Sequence, residues 1–272
     1  MLKINSKDTK QIMIEAYNSK VVVPAFNIPY LSMIGLIVQA LKDTGVFGLI
    51  QVARLEWIKF KAQSLEDVAK EYFLHASPEN TRLHLDHVPV IDEDGKHVNF
   101  QEVLKKALDA GYKSLMIDGS RLSLEENIKI TSQACDIAHK GGVPIESELG
   151  AVLGHEAGPL PPYEELLRSG KGFTDVKQAE RFVNETGTDW LSIAIGNVHG
   201  AISGVRKNQK KVKARLDINR LKEINAALGI PLVLHGGSGI KPQYIQKAIK
   251  NGITKLLFLF SPPTVVVASP SW

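Results

Sequence analysis

Five short segments of this 272-residue chain end in residues that bind cations or move protons. "RLHLDH" ends in Asp86 and His87, "SLMIDGS" sets Asp118 ahead of Gly119 and Ser120, and "VPIESEL" carries Glu146 and Glu148. "WLSIAIGNVHG" runs on to His199, and the apolar run of "PLVLHGGSGI" meets His235 and then a glycine loop with Ser238. Three histidines from separate segments suit a first-row divalent metal, most simply zinc with an open coordination position. The carboxylates beside them fit either groups that orient the histidines or an alternative ligand set. The amides of "HGGSG" can cradle a phosphate, with Ser238 as a further donor, and "HGAISG" after His199 offers a second set. Each feature alone has a plainer explanation: a capping Asp, a histidine satisfied at a strand end, a tight turn. Five at equivalent places make coincidence a poor account. His75, His84, His97, His139 and His155 hold no equivalent place and read as structural or surface residues, His84 and His155 near the same rim.

Those places are equivalent only if the segments are strands of one barrel. Eight short runs of branched aliphatics read as strands: Val21–Asn27, Phe47–Val52, Arg82–Asp86, Ser114–Asp118, Val143–Leu149, Trp190–Gly196, Pro231–His235 and Ile253–Leu259. Helical patterns lie between most of them. "NFQEVLKKALDAG" opens on an Asn cap with Glu three residues on and closes on Gly111, and "SLEENIKITSQACDIAHKGG" repeats the Ser-x-x-Glu box. An eightfold alternation at this length predicts an α/β (β/α)8 barrel, one domain over residues 1–272. A doubly wound sheet is the alternative, but no glycine-rich dinucleotide fingerprint follows the first strand. In a barrel enzyme the chemistry sits at the C-terminal rim, which is where all five segments deliver their polar residues. The longest connection, Gly150–Phe173, reads as a candidate mobile loop.

Composition agrees with an ordinary globular protein: 44% hydrophobic and 23% charged. One cysteine, Cys135, excludes an internal disulfide and suits a reducing compartment. The polar N-terminus and the lack of an apolar run near ~18 residues predict neither signal peptide nor membrane span, hence a cytoplasmic protein. The net charge of +4 is concentrated in "VRKNQKKVKAR", Val205–Arg215. A solvated lysine-rich loop is the plainer reading, and a loop whose field draws anionic substrates the sharper one. The run lacks the interleaved aromatics of a single-strand nucleic-acid binder.

Taken in order, "RLHLDH", "SLMIDGS", "ESELGAVLG", "GNVHG" and "LVLHGGSG" resemble the class II, metal-dependent fructose-bisphosphate and tagatose-bisphosphate aldolases over about Val21–Lys255. The resemblance implies that His87, His199 and His235 hold a catalytic zinc, with Asp118 and Glu148 at a second or alternate metal position. It implies Asp86 as the acid/base on the C4 hydroxyl and Glu156, in "GHEAG", as the proton mover at the enediolate carbon. Gly200, Gly236 and Ser238 would line a phosphate site, and Asn27 and Gln51 would face the substrate. The implied reaction is cleavage of a ketose 1,6-bisphosphate to dihydroxyacetone phosphate and glyceraldehyde 3-phosphate in sugar catabolism, by a homodimer or homotetramer, with room for a second divalent or a monovalent cation. The metal acts as a Lewis acid on the enediolate charge. A metal-free route through a Schiff-base lysine would point to Lys255, but would leave three rim histidines without purpose.

Two departures bear on the substrate. The second strand of relatives often continues into a phosphate-contacting serine, where this chain has Ala53 and then Arg54, a candidate replacement anion ligand. After "NGITK" the family expects an "INIGTD"-like stretch and further helix, where this chain reads "LLFLFSPPTVVVASPSW". An atypical, truncated end, a thinly covered barrel seam and loss of turnover are the corresponding expectations. A tagatose-bisphosphate or other phosphorylated-sugar aldolase, and a zinc- and phosphate-binding barrel without activity, remain open alternatives.

Overall fold

The computed structural model describes residue 4 and residues 7–150, 163–197 and 214–258. The strands are β1 (Val23–Asn27), β2 (Gly48–Ala53), β3 (Thr81–Asp86), β4 (Val88–Pro89), β5 (Leu115–Asp118), β6 (Ile145–Leu149), β7 (Trp190–Ile193), β8 (Leu232–Leu234) and β9 (Ile253–Phe258). Between or before them lie α1 (Thr9–Asn18), α2 (Met33–Thr44), α3 (Arg54–Lys59), α4 (Leu65–His75), α5 (Phe100–Asp109), α6 (Leu124–Lys140), α7 (Tyr163–Ser169), α8 (Val176–Thr186), α9 (Ile218–Leu228) and α10 (Pro242–Lys250). The strands form one sheet in the order β3-β2-β1-β9-β8-β7-β6-β5-β4, every pair parallel.

β4 is β3 continued past His87, so nine strands fill eight places of a (β/α)8 barrel, as the alternation predicts. The open ends of that order meet: Leu85 N donates to Ser114 O at 2.9 Å and Lys113 N to Leu83 O at 2.9 Å, joining β3 to the start of β5. The eighth strand expected from the sequence forms as β9 and pairs with both β8 and β1. The seam is therefore hydrogen-bonded on both sides of β9, while residues 259–272 lie outside the described residues. The connection Gly150–Phe173 holds a helix, α7, at its end, with residues 151–162 outside the described residues.

The helix boundaries follow the capping residues. The Ser123 hydroxyl accepts from Glu126 N and Asn99 Oδ1 from Glu102 N, each satisfying an otherwise unpaired first-turn amide. Among the described residues three apolar clusters pack against the sheet. One lies beneath α2, α4, α5 and α6, and a second beneath α8, α9 and α10. The third joins Ile12, Met13 and Ala16 of α1 to Val23, Ala25, Leu49, Trp190, Val233 and Leu257, so α1 plugs the N-terminal mouth of the barrel. The opposite mouth is left to polar side chains.

Phe182 of α8 is fully buried in the second cluster beside Leu191 and Ile193 of β7. Truncating such a ring loses its transfer free energy and leaves a cavity. Phe182→Ala is expected to destabilise the fold by about 3–5 kcal/mol, measured as a lowered urea midpoint at unchanged slope.

Candidate active site

Side chains from strands far apart around the ring meet on the barrel axis. On β3, the two-residue period puts His84 and Asp86 on one face, and on β6 it does the same for Glu146 and Glu148. His235 follows β8 directly and His87 follows β3. The two imidazoles converge edge to face, with ring centroids 4.4 Å apart and His235 Nδ1 2.6 Å from His87 Nε2. His87 reaches this place through a backbone φ of +30°, a region L-residues seldom occupy, and it is this residue that splits β3 from β4.

Asp86 is fully buried beside the pair. Asn27 Nδ2 donates to its Oδ2 at 3.0 Å, and Gln51 Nε2 donates to Asn27 Oδ1 at 2.8 Å. A chain of amides from β1 and β2 thus fixes the carboxylate. Its Oδ1 has no hydrogen-bond partner among the described residues and lies 3.7 Å from Lys255 Nζ. On the far side of His87, Asp118 Oδ2 stands 3.5 Å from Nδ1 while Asp118 Oδ1 accepts from Ser120 N and Oγ at 3.0 and 2.6 Å. Glu148 accepts from Ser192 Oγ at 3.3 Å.

The electrostatics of this rim call for a cation. Burial disfavours a charge on His87, yet Asp86, Asp118 and Glu148 outweigh it and raise its pKa to about 10. Burial also opposes ionisation of Asp118, but its bonds to His87 and Ser120 hold the carboxyl below the usual carboxylate range. Glu148 goes the other way, raised by burial and by the Asp118 charge. Among the described residues three donor sets gather within 4.8 Å: Asp86, His87 and His235; next to them His87, Asp118 and Glu148; and deeper, His84, Asp86 and Glu146. Two converging imidazoles with carboxylates close beside them suit zinc or a similar divalent ion. The residues present therefore fit a metal.

The glycine loop after His235 is a short 3-10 turn, Gly237–Gly239, entered through Gly236 at φ +71°. A Cβ on Gly237 would stand 2.9 Å from the Leu257 carbonyl oxygen, so only glycine lets the loop lie this close to β9. Asn197 locks the turn, donating to His235 O at 3.1 Å and accepting from Ile195 N at 2.9 Å. Of the expected site residues, Asn27, Gln51, Asp86, His87, Asp118, Glu148, His235 and Gly236 are brought to one rim. Glu156, His199 and Gly200 lie outside the described residues, as do the Ser238 side chain and the lysine-rich run before Ala214.

Arg54, the candidate anion ligand, opens α3 with Nη1 3.5 Å from Asp92 Oδ2, at the edge of the site. His84 lies inside the barrel rather than near the rim, bonded to Ser114 Oγ and Lys255 Nζ at 2.8 and 2.9 Å. Three residues gain a place that the sequence does not suggest. Glu146 and Lys255 share the interior, and the signal for Lys255 is a lone lysine within the apolar run "ITKLLF". Glu56, two residues into α3, is buried and its Oε2 accepts from Ala53 N at 2.7 Å.

Burial, with a smaller push from the Asp86 charge, raises the Glu56 pKa from 4.5 to about 8. The folded chain then holds a proton that the unfolded chain releases, so stability falls as pH rises through that interval and levels off outside it. Glu56→Gln retains an acceptor for Ala53 N, and is expected to flatten the stability profile between about pH 4.5 and 8. Denaturant midpoints across that range check it; parallel profiles for variant and parent would contradict the assignment.

Residues 7–257 match the family model described as class II fructose-bisphosphate aldolase. Fructose-bisphosphate aldolases of Staphylococcus epidermidis and Geobacillus stearothermophilus are each 40% identical over 160 residues, 59% of this chain and 51% and 50% of theirs. The chain thus spans about half the length of the curated relatives it matches. The crystal structure of the YdjI aldolase of Escherichia coli K12 superposes with a TM-score of 0.71 at 28% identity, covering 92% of this chain and 80% of that one. With the match running through nearly all the described barrel, the chain belongs to the class II fructose-bisphosphate aldolase family.

Proposed function

We propose that the chain cleaves a ketose 1,6-bisphosphate, fructose 1,6-bisphosphate foremost, by a metal-assisted retro-aldol reaction. One observation carries the reading: a buried Asp86 carboxylate, held at Oδ2 by Asn27, keeps Oδ1 without a hydrogen-bond partner among the described residues, beside two converging imidazoles. A zinc ion, held by His87 and His235 together with His199, would supply Lewis-acid stabilisation of the charge on the carbonyl side. Asp118 and Glu148, grouped with His87, form the alternate cation position.

Asp86 takes the proton of the C4 hydroxyl as its oxygen becomes the aldehyde carbonyl. The C3–C4 bond breaks, and its electron pair passes to C3 and the C2 oxygen as an enediolate. Glu156 then returns a proton to C3 to give dihydroxyacetone phosphate. Asn27 and Gln51 orient the base and the bound ketose. Gly236, Ser238 and Gly200 bind a substrate phosphate through amides and a hydroxyl, next to the metal histidines. The single-domain barrel is read as a cytoplasmic homodimer or homotetramer, a setting that a buried, lone Cys135 suits.

A second reading is a barrel that binds zinc and phosphate without turnover. Leu257 favours it, since it packs into the plug of α1 where the resemblance expects a polar contact to the ketose. An aldol-cleavage assay on fructose and tagatose bisphosphates, with EDTA and then added zinc, separates these. The first reading expects cleavage that EDTA abolishes and zinc restores, and Asp86→Asn lowering kcat about 10²–10⁴-fold. Cleavage that survives EDTA would remove the metal from the mechanism. Zinc uptake with no cleavage of either sugar would establish the second reading.

A further inference from the structure

Beneath the histidine pair lies a polar cluster to which the proposed reaction gives no part. Glu146 of β6, His84 of β3 and Lys255 of β9 are wholly buried, and Trp190 of β7 is 1% exposed. Lys255 Nζ is 2.7 Å from Glu146 Oε2, and Trp190 Nε1 donates to the same oxygen at 2.8 Å. The other oxygen, Oε1, is 2.9 Å from His235 Nε2.

The donors in this cluster decide where the proton on His235 sits. An ammonium and an indole N–H can only donate, and both are directed at Oε2. With both donors placed on Oε2, the other oxygen, Oε1, faces the imidazole as an acceptor. The Oε1 contact therefore requires the hydrogen to be on His235 Nε2. A neutral imidazole with its hydrogen there has its lone pair on Nδ1, the atom that faces His87 Nε2 at 2.6 Å. The same logic turns His84 away from the site: Lys255 donates to its Nε2, so its Nδ1–H meets Ser114 Oγ.

We propose that Glu146 is a positioning residue, which holds His235 in the Nε2–H tautomer and so makes Nδ1 the ligand atom offered to a cation. Lys255 and Trp190 fix the carboxylate from the opposite side, so that it cannot turn to satisfy another partner. The proposal rests on the reading of His87 and His235 as a metal pair, because only then does the identity of the outward nitrogen matter. Hydrogen bonding of the outer nitrogen to a carboxylate orients a ligand histidine and raises its basicity.

Two measurements on the full chain test it. In the metal-free protein with nitrogen-15-labelled histidine, the ring signals lost in a His235→Gln variant identify His235. They are expected to show hydrogen on Nε2; hydrogen on Nδ1 overturns the proposal. Zinc affinity is then measured by competition with a chromophoric chelator for the parent chain and for Glu146→Gln. The glutamine keeps its carbonyl toward Lys255 and Trp190, and so presents its amide hydrogens to His235 Nε2, which must then accept. The expected result is zinc binding about 10–100-fold weaker than the parent, with hydrogen moved to His235 Nδ1 in the labelled variant. Equal affinity in parent and variant overturns the role of Glu146 while leaving the metal pair intact. A parent chain that takes up no zinc overturns the metal pair instead, and the tautomer measurement still decides whether Glu146 orients His235. Should Glu146→Gln not fold, the labelled parent decides alone: hydrogen on Nε2 supports the proposal and hydrogen on Nδ1 overturns it.

Discussion

The buried ion pair between Lys255 and Glu146 is the contact on which the upper half of the barrel rests. Two unpaired charges at this depth would each cost several kcal/mol. At 2.7 Å, with Trp190 and His84 taking up further hydrogen bonds, each charge has its compensation. Because the partners come from β9, β6, β7 and β3, the pair ties together strands spaced around the ring, below the rim and above the apolar plug of α1. His235 stands on it, and the position of the second imidazole is measured from His235.

The rim above is organised by backbone constraint as much as by side chains. At His87 the chain leaves the β region, ending one strand just before it and starting another just after. That conformation is strained, on the order of 1–3 kcal/mol for a non-glycine residue, and the surrounding barrel holds it. It lets consecutive residues Asp86 and His87 both serve the same small volume, although neighbours on a regular strand face opposite ways. The glycine loop after β8 shows the converse economy: Gly237 approaches the β9 backbone as no larger residue could.

Membership of the class II aldolase family and the eight-stranded ring were legible in the sequence because both rest on local pattern. Short apolar runs bounded by Gly, Asp and Asn became strands. Ser123 and Asn99 marked helix starts, and the polar residue at the end of each strand marked the rim. The rim His, Asp and Glu residues follow from knowing which end of a parallel barrel faces substrate, whereas Asn27, Gln51 and Gly236 could be named only through the family resemblance. The eighth strand was the least legible, since its residues depart from the family pattern, yet "ITKLLF" pairs on both sides because closure needs only backbone groups and apolar filling.

The sequence by itself determined which residues alternate toward the axis, where strands and helices begin, and that histidines and carboxylates would share a rim. It could not rank those residues by depth. Glu146 and Glu148 are equivalent in "ESEL", and nothing local says that one accepts from Lys255 and Trp190 while the other meets Ser192. In the sequence, Lys255 is a nucleophile without a task and His84 a structural or surface histidine. Only the closed barrel, whose stagger sets which residues of β3, β6 and β9 lie at one height, brings them into contact. Likewise the raised pKa of Glu56 depends on its burial where α3 packs on β2 and on the charge of Asp86 from β3, neither of which its chain neighbour Ala53, a hydrogen-bond donor to it, reveals.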